Sequence, residues 1–228
     1  MHAARERAGS IRSTMLTVRE NTKMSDTIEA VLNRRREVSS FSSWLARFVM
    51  RAMGWRIAGE PPDMPKYVLI AAPHTSNWDF MIMLALDFAF KIRCVWMGKD
   101  SIFRGHLGPF YRRMGGIPID RSSRSNVVEQ AVRAFQHNER MVLAIPPEGT
   151  RKRTDRWKTG FYYIALEANV PLVFGFIDFE HKTAGFGPTL MPSGDIEADV
   201  AIIRDFYKDI KGKFPENFGE VTVAAQKA

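Results

Sequence analysis

Four short apolar runs, at residues 67–72, 92–97, 140–145 and 171–179, alternate with helix-like stretches and leave this chain few folds to adopt. The first, Tyr67-Val68-Leu69-Ile70-Ala71-Ala72, is apolar throughout, as expected of a strand covered on both faces. Between and after the runs lie helical patterns over residues 78–91, 125–137, 160–168 and 196–211. In the second of these, Val128, Ala131, Val132 and Phe135 recur at helical spacing and make one buried stripe. Strands alternating with helices predict a single-domain α/β fold with a largely parallel central sheet flanked by helices. A chain of 228 residues can bury one good core, and an apolar fraction of 45% argues against wholesale disorder.

An amphipathic helix is expected ahead of this domain. Phe41, Trp44, Leu45, Phe48, Val49 and Ala52 fall at helical spacing over residues 41–55, with Arg47 and Arg51 on other faces and Arg34, Arg35 and Arg36 just upstream. Two tryptophans, a phenylalanine stripe and flanking arginines suit a helix lying in a membrane interface. The same periodicity, taken alone, also describes a helix packed on the domain's own core. Gly59-Glu60-Pro61-Pro62 then punctuates the chain. The expected organisation is a polar, poorly ordered segment over 1–40, the helix and its linker over 41–60, and the main domain over 61–228. The first 23 residues have no apolar core of the signal-peptide kind, and residues 80–90, interrupted by Asp87, are too short to span a bilayer.

A net charge of +8 favours an anionic partner: nucleic acid, anionic lipid or a phosphorylated substrate. The basic residues are dispersed and match no nucleic-acid motif, so nucleic acid is not expected as a partner. Cys94, the single cysteine, can form no internal disulfide and reads as a buried structural thiol in a reducing compartment. His106, His137 and His181 lack paired ligand spacing, so no metal site is expected.

The residues able to carry chemistry begin just after the first strand. His74 and Asp79 stand four residues apart in Pro73-His74-Thr75-Ser76-Asn77-Trp78-Asp79, at a strand-to-helix junction of the kind where α/β sheets gather their sites. An imidazole oriented by a carboxylate is a general base suited to neutral pH. Taken alone, the pair equally describes a helix-capping aspartate and an ordinary loop histidine. Three further segments add context: Gly115-Gly116-Ile117-Pro118-Ile119-Asp120-Arg121, Pro147-Glu148-Gly149-Thr150-Arg151 and Val170-Pro171-Leu172-Val173.

In order and spacing these four segments resemble the motifs of the glycerolipid acyltransferases of the lysophosphatidic acid (1-acylglycerol-3-phosphate) acyltransferase type. The resemblance covers roughly residues 67–179, and Pro-Glu-Gly-Thr-Arg is its most specific part. Three positions depart from the common pattern: Pro73 replaces the asparagine that often precedes the histidine, Pro118 a phenylalanine, and Pro146 an aromatic residue. They leave the proposed catalytic groups in place and put the identity of the acceptor in question.

The resemblance implies transfer of an acyl group from acyl-CoA or acyl-carrier protein to the hydroxyl of 1-acylglycerol 3-phosphate, with no cofactor beyond that co-substrate. His74 would be the base and Asp79 its orienting partner, as in serine-protease triads. No Gly-x-Ser-x-Gly elbow supports a hydrolase, and Ser76 is expected to shape the loop. Arg121, Arg151 and, more loosely, Lys99 would bind phosphate, since guanidinium matches phosphate oxygens in fork geometry. Glu148, Gly149, Thr150 and Gly116 would line the acceptor site, with loop amides near Glu148–Thr150 as oxyanion donors. Val170 and Pro171 would lie on the acyl side. A peripheral, monotopic place on the cytoplasmic face of the inner membrane follows if the source is bacterial, with the 41–55 helix as the docking element on an anionic surface. Two alternatives stand beside this: a relative acylating glycerol 3-phosphate or a lyso-aminolipid, and a non-catalytic basic module binding lipid or nucleic acid.

Overall fold

The computed structural model of the chain describes residues 37–119 and 124–223, together with positions 28, 30 and 31. Helix α1 (Ser40–Ala52) opens this region, capped by the Ser39 hydroxyl, which accepts from the Ser42 amide. Strand β1 (Arg56–Ala58) and strand β2 (Lys66–Ala72) follow, then helix α2 (Trp78–Phe90) and strand β3 (Val95–Lys99). Two short helices, α3 (Asp100–Phe103) and α4 (Gly108–Arg113), lead into β4 (Gly116–Ile119). The remainder is α5 (Arg124–His137), β5 (Met141–Ile145), α6 (Gly160–Ala168), β6 (Leu172–Asp178), β7 (Thr183–Leu190) and α7 (Ile196–Tyr207).

The strands form one seven-stranded sheet in the order β1-β7-β6-β2-β5-β3-β4. The five strands from β6 to β4 in this order run parallel, whereas β7 is antiparallel to β6 and carries β1 alongside it in parallel. The α/β sandwich expected from the sequence is therefore present. One face of the sheet packs Val68, Ile70, Leu143, Leu172 and Phe174 against Phe135 of α5, Phe161 of α6 and Ile203 of α7. The other face packs Tyr67, Leu69, Val142 and Val173 against Met83 and Phe90 of α2. Strand β2 lies at the centre with β5 and β6 as neighbours, and Ile70 pairs with Ile145 of β5 and with Phe174 of β6. The carboxyl ends of β2 and β5 thus stand side by side, outside the apolar layers.

Some boundaries differ from the sequence expectation for identifiable reasons. Strand β3 starts at Val95 because Asp87, buried in α2, receives the Cys94 amide on its carboxylate at 2.6 Å and the Ile92 amide on its carbonyl at 3.1 Å. Residues 92–94 are consumed in that turn, where Arg93 has φ +64°. The carboxylate that interrupts an apolar helix is the clamp that closes it onto the sheet, and Cys94 is buried beside it. Strand β1 is three residues long, and β7 contains Gly185, Gly187 and Pro188, so neither shows a strand pattern strong enough to read. The expected linker after α1 is largely β1 itself, and Trp55 packs edge-on against Phe179. Most of the expected N-terminal polar segment lies outside the described residues. Two of its members, Ile28 and Val31, are buried in the larger core.

Of the two readings of its periodicity, helix α1 does not follow the one in which the apolar stripe packs on the core. Its inward face is narrow: Ser43 donates to the Ala89 carbonyl, Arg47 does the same while stacking over Phe90, and Met50 meets Ile82 and Leu86. The apolar stripe points the other way, with Phe41, Trp44 and Phe48 exposed at 68%, 58% and 56% and stacked in a row.

On the opposite face a buried polar junction pins α6 to α7. The Tyr162 hydroxyl donates to Asp199 at 2.7 Å, the Ser193 amide donates to the same oxygen, and the Gly194 amide donates back to the tyrosine oxygen. Asp199→Ala strands two buried donors and should cost about 2–4 kcal/mol of stability. Urea denaturation monitored by circular dichroism measures this as a lowered midpoint with unchanged slope.

Candidate active site

Strand β2 ends at Ala72, the Ala72–Pro73 bond is cis, and the chain turns through residues 73–77 into α2. Asp79 sits in the first turn of that helix but does not cap it. Its buried carboxylate reaches backward, where one oxygen accepts the Thr75 and Ser76 amides at 2.8 Å each and the other accepts the Ser76 hydroxyl at 3.0 Å. The same oxygen that holds the two amides lies 3.3 Å from Nδ1 of His74. The imidazole is 25% exposed and the carboxylate 4%, so the pair is buried at Asp79 and open at the ring. Asp79 is therefore fixed by hydrogen bonds independent of the histidine, and Nδ1 is the nitrogen it orients. Ser76, with its hydroxyl on Asp79 and accepting the Trp78 amide, shapes the turn as expected.

The Pro-Glu-Gly-Thr-Arg segment meets this turn from β5. Glu148 is buried, and its Oε1 accepts the His74 backbone amide at 2.9 Å. Its Oε2 has no hydrogen-bond partner among the described residues. Burial lifts the carboxyl from its ordinary 4.5 to about 7; bonds from its own amide and from His74 and the nearby imidazole pull it down, while the charge of Asp79 raises it. Beneath it the buried Tyr207 hydroxyl donates to the Gly175 carbonyl at 2.8 Å, and burial holds that phenol well above its ordinary range.

Gly149 has φ +63°, and the Lys158 side chain passes so close that a Cβ there would lie 2.4 Å from Nζ. The left-handed backbone favours glycine, and any side chain there would require Lys158 to move aside. The Gly149 amide donates to the Pro146 carbonyl at 3.1 Å, so one amide expected as an oxyanion donor is already engaged. Thr150 continues the same loop, its hydroxyl accepting the Lys152 amide. Arg151 returns to the histidine turn, where its guanidinium donates to the Asn77 side-chain carbonyl.

His74, Asp79, Glu148, Gly149, Thr150 and Arg151 are thus brought together at the ends of β2 and β5. Lys99 closes β3 on the same edge of the sheet, one strand beyond β5. Arg121 lies outside the described residues. Gly116 opens β4 at the opposite edge, where a Cβ would strike Phe103, Trp96 and the Tyr111 carbonyl, so its role there is close packing. Val170 and Pro171 also fall at that far edge, since they precede β6 and the Pro171 carbonyl accepts the Val68 amide. A strand of this length separates them from His74 by roughly 15 Å. Asn77 is a member of the constellation that sequence spacing did not single out. Away from it, at the β6–β7 turn, Asp178, Glu180 and His181 bring three potential ligand atoms within 4.8 Å of one another, a cluster the histidine spacing did not suggest; two of the three residues are exposed.

A largely parallel α/β sheet thus presents a histidine–aspartate pair and an arginine on one turn at its carboxyl edge. The sequence profile of the acyltransferase family matches residues 56–174, more than half of the chain. The chain belongs to the acyltransferase family. Among solved structures, it is similar to the 1-acyl-sn-glycerophosphate (LPA) acyltransferase PlsC of Thermotoga maritima, at 16% identity and a TM-score of 0.50, over 75% of this chain and 80% of that one. At that identity the likeness concerns the fold. No curated protein matches the chain.

The titration of Glu148 provides a test of this geometry. A carboxyl held near 7 in the folded state and near 4.5 in the unfolded state binds its proton more tightly when folded. Its stability contribution is present below about 4.5 and is lost as pH rises toward about 7. Glu148→Gln lacks this dependence. Urea midpoints of wild type minus those of the variant should fall across that window, and a flat difference would place the carboxyl in water.

Proposed function

We propose that this acyltransferase moves a fatty acyl group from an acyl thioester to the free hydroxyl of 1-acylglycerol 3-phosphate. The observation that carries the proposal is the His74–Asp79 contact of 3.3 Å at the end of β2, with Arg151 docked on the same turn. With Nδ1 facing Asp79 at 3.3 Å, this scheme places the ring proton on Nδ1 and leaves Nε2 with its lone pair as the base. The acceptor oxygen attacks the thioester carbon while its proton passes to Nε2. The tetrahedral intermediate collapses with cleavage of the carbon–sulfur bond, and the imidazolium returns the proton to the thiolate. An ester and a free thiol result, with no covalent enzyme intermediate. Arg151 is the phosphate clamp in this scheme and Glu148 holds the loop that carries the base.

Thiol release from acyl-CoA in the presence of lysophosphatidate tests the assignment. His74→Ala should lower the rate by about 10²–10⁴. Asp79→Asn should also reduce kcat strongly, by loss of tautomer control. A wild-type rate in His74→Ala removes the dyad mechanism. Arg151→Ala should raise the KM for the phosphorylated acceptor more than it lowers kcat.

The substrates are amphiphiles, and the exposed face of α1 supports delivery from a membrane surface. The helix runs antiparallel to α2, with Ser43 beside Ala89 and Met50 beside Ile82, so its carboxyl end approaches the end of α2 that holds Asp79. Trp78 and Met81 on that end of α2 are exposed as well. No helix among the described residues is long and apolar enough to cross a membrane. Docking flat in the interface matches an exposed aromatic stripe, each large side chain contributing about 1.5–3 kcal/mol on burial. Replacing Phe41, Trp44 and Phe48 by serine should reduce flotation with anionic liposomes by about tenfold or more, with thiol release from water-soluble short-chain substrates unchanged.

A further inference from the structure

Beyond α7 the chain turns back across the active-site edge, outside the segment that carries the family motifs. Three contacts seat it there. The Lys211 carbonyl accepts the Phe179 amide at 2.9 Å, and the Phe214 amide donates to the Thr75 hydroxyl at 3.3 Å, one residue from His74. Between them Gly212 is pressed so closely on this turn that a Cβ would lie 2.7 Å from the Thr75 hydroxyl and 3.2 Å from Pro73. Lys213 is consequently delivered to Trp78, with its ammonium 4.8 Å from the centroid of the indole ring. Arg151 docks on Asn77, the residue before it.

Two cations from distant parts of the sequence therefore stand on adjacent residues of the turn that carries the base. Neither is in an ion pair with a carboxylate among the described residues. An aromatic face holds an ammonium in place while leaving its N–H donors directed to other partners. Cations on adjacent residues without counter-charge favour an anion, and a guanidinium together with an ammonium suits a phosphate.

We infer that Lys213, positioned by Trp78, is a second phosphate-binding residue of the active site and works with Arg151 on one phosphate of a bound substrate. This rests on the acyl-transfer proposal for its substrates. The shared chemistry is a phosphate group, carried by the acceptor as a monoester or by an acyl-CoA donor.

Lys213→Ala and Lys213→Arg should be compared with wild type by equilibrium titration with short-chain lysophosphatidate, with monoacylglycerol and with acyl-CoA, and by thiol-release kinetics. Loss of one charge-assisted contact should weaken binding of the phosphorylated partner about tenfold, and arginine should restore most of it. Weaker binding of lysophosphatidate with unchanged monoacylglycerol assigns the site to the acceptor. Weaker binding of acyl-CoA, with unchanged KM for an acyl-pantetheine lacking phosphate, assigns it to the donor. Equal affinity of wild type and Lys213→Ala for both phosphorylated ligands, or binding of neither by wild type, overturns the inference. If wild type binds them but transfers no acyl group, the acyl-transfer proposal fails while the titrations still decide on Lys213.

Discussion

The bond from the His74 amide to the buried carboxylate of Glu148 is the constraint around which the rest of the site is arranged. It joins the loops leaving β2 and β5, two neighbours at the centre of the parallel sheet. A buried carboxylate is costly unless hydrogen-bonded, so Glu148 and the main chain of the histidine hold each other in place. Asp79 applies the same logic from the other side. By taking two amides and a hydroxyl of the turn it becomes rigid before it meets the imidazole. His74 is thus held through its backbone by one carboxylate and faced at its ring by another. Preorganisation of this kind places a reacting group without reorganisation during the reaction.

Electrostatic and apolar surfaces are distributed around that centre in a consistent way. Arg151 and Lys213 stand on the histidine turn, and Lys158 passes over Gly149. Exposed apolar side chains, Trp78 and Met81 on α2 and Phe214 on the returning chain, border the same edge. On the neighbouring α1 a further apolar row, Phe41, Trp44 and Phe48, is exposed. An amphiphile with a phosphate head and acyl tail presents the complementary pattern, which is the physical basis for proposing an interfacial substrate.

Much of the fold was legible because burial imposes pattern. Continuous apolar runs marked β2, β5 and β6 within one residue, and the stripe of α5 and the limits of α6 followed from helical spacing. Strands β1 and β7 were not legible, since one is three residues long and the other is rich in glycine and proline; both exist through pairing with partners remote in sequence. Asp87 looked like an interruption of an apolar helix, and only the chain folding back from Cys94 made it a clamp. The stripe of α1 shows the limit most plainly. Periodicity identifies an amphipathic helix but not which face the domain takes, and here small and polar residues face inward while the aromatics face out.

The sequence by itself determined the α/β class, the position of His74 and Asp79 at a strand-to-helix junction, and the four segments that mark the acyltransferase family. These are local properties, set by residue type and spacing along one stretch of chain. Tertiary structure alone decided that Glu148 would grip the histidine loop, that Gly116, Val170 and Pro171 would lie at the far edge, and that Lys213 would arrive beside Trp78. Each of these depends on strand order and chain reversal, which join residues separated by tens of positions. The physical reason is burial: a polar backbone group or carboxylate inside the fold must find its partner wherever the packed sheet places one.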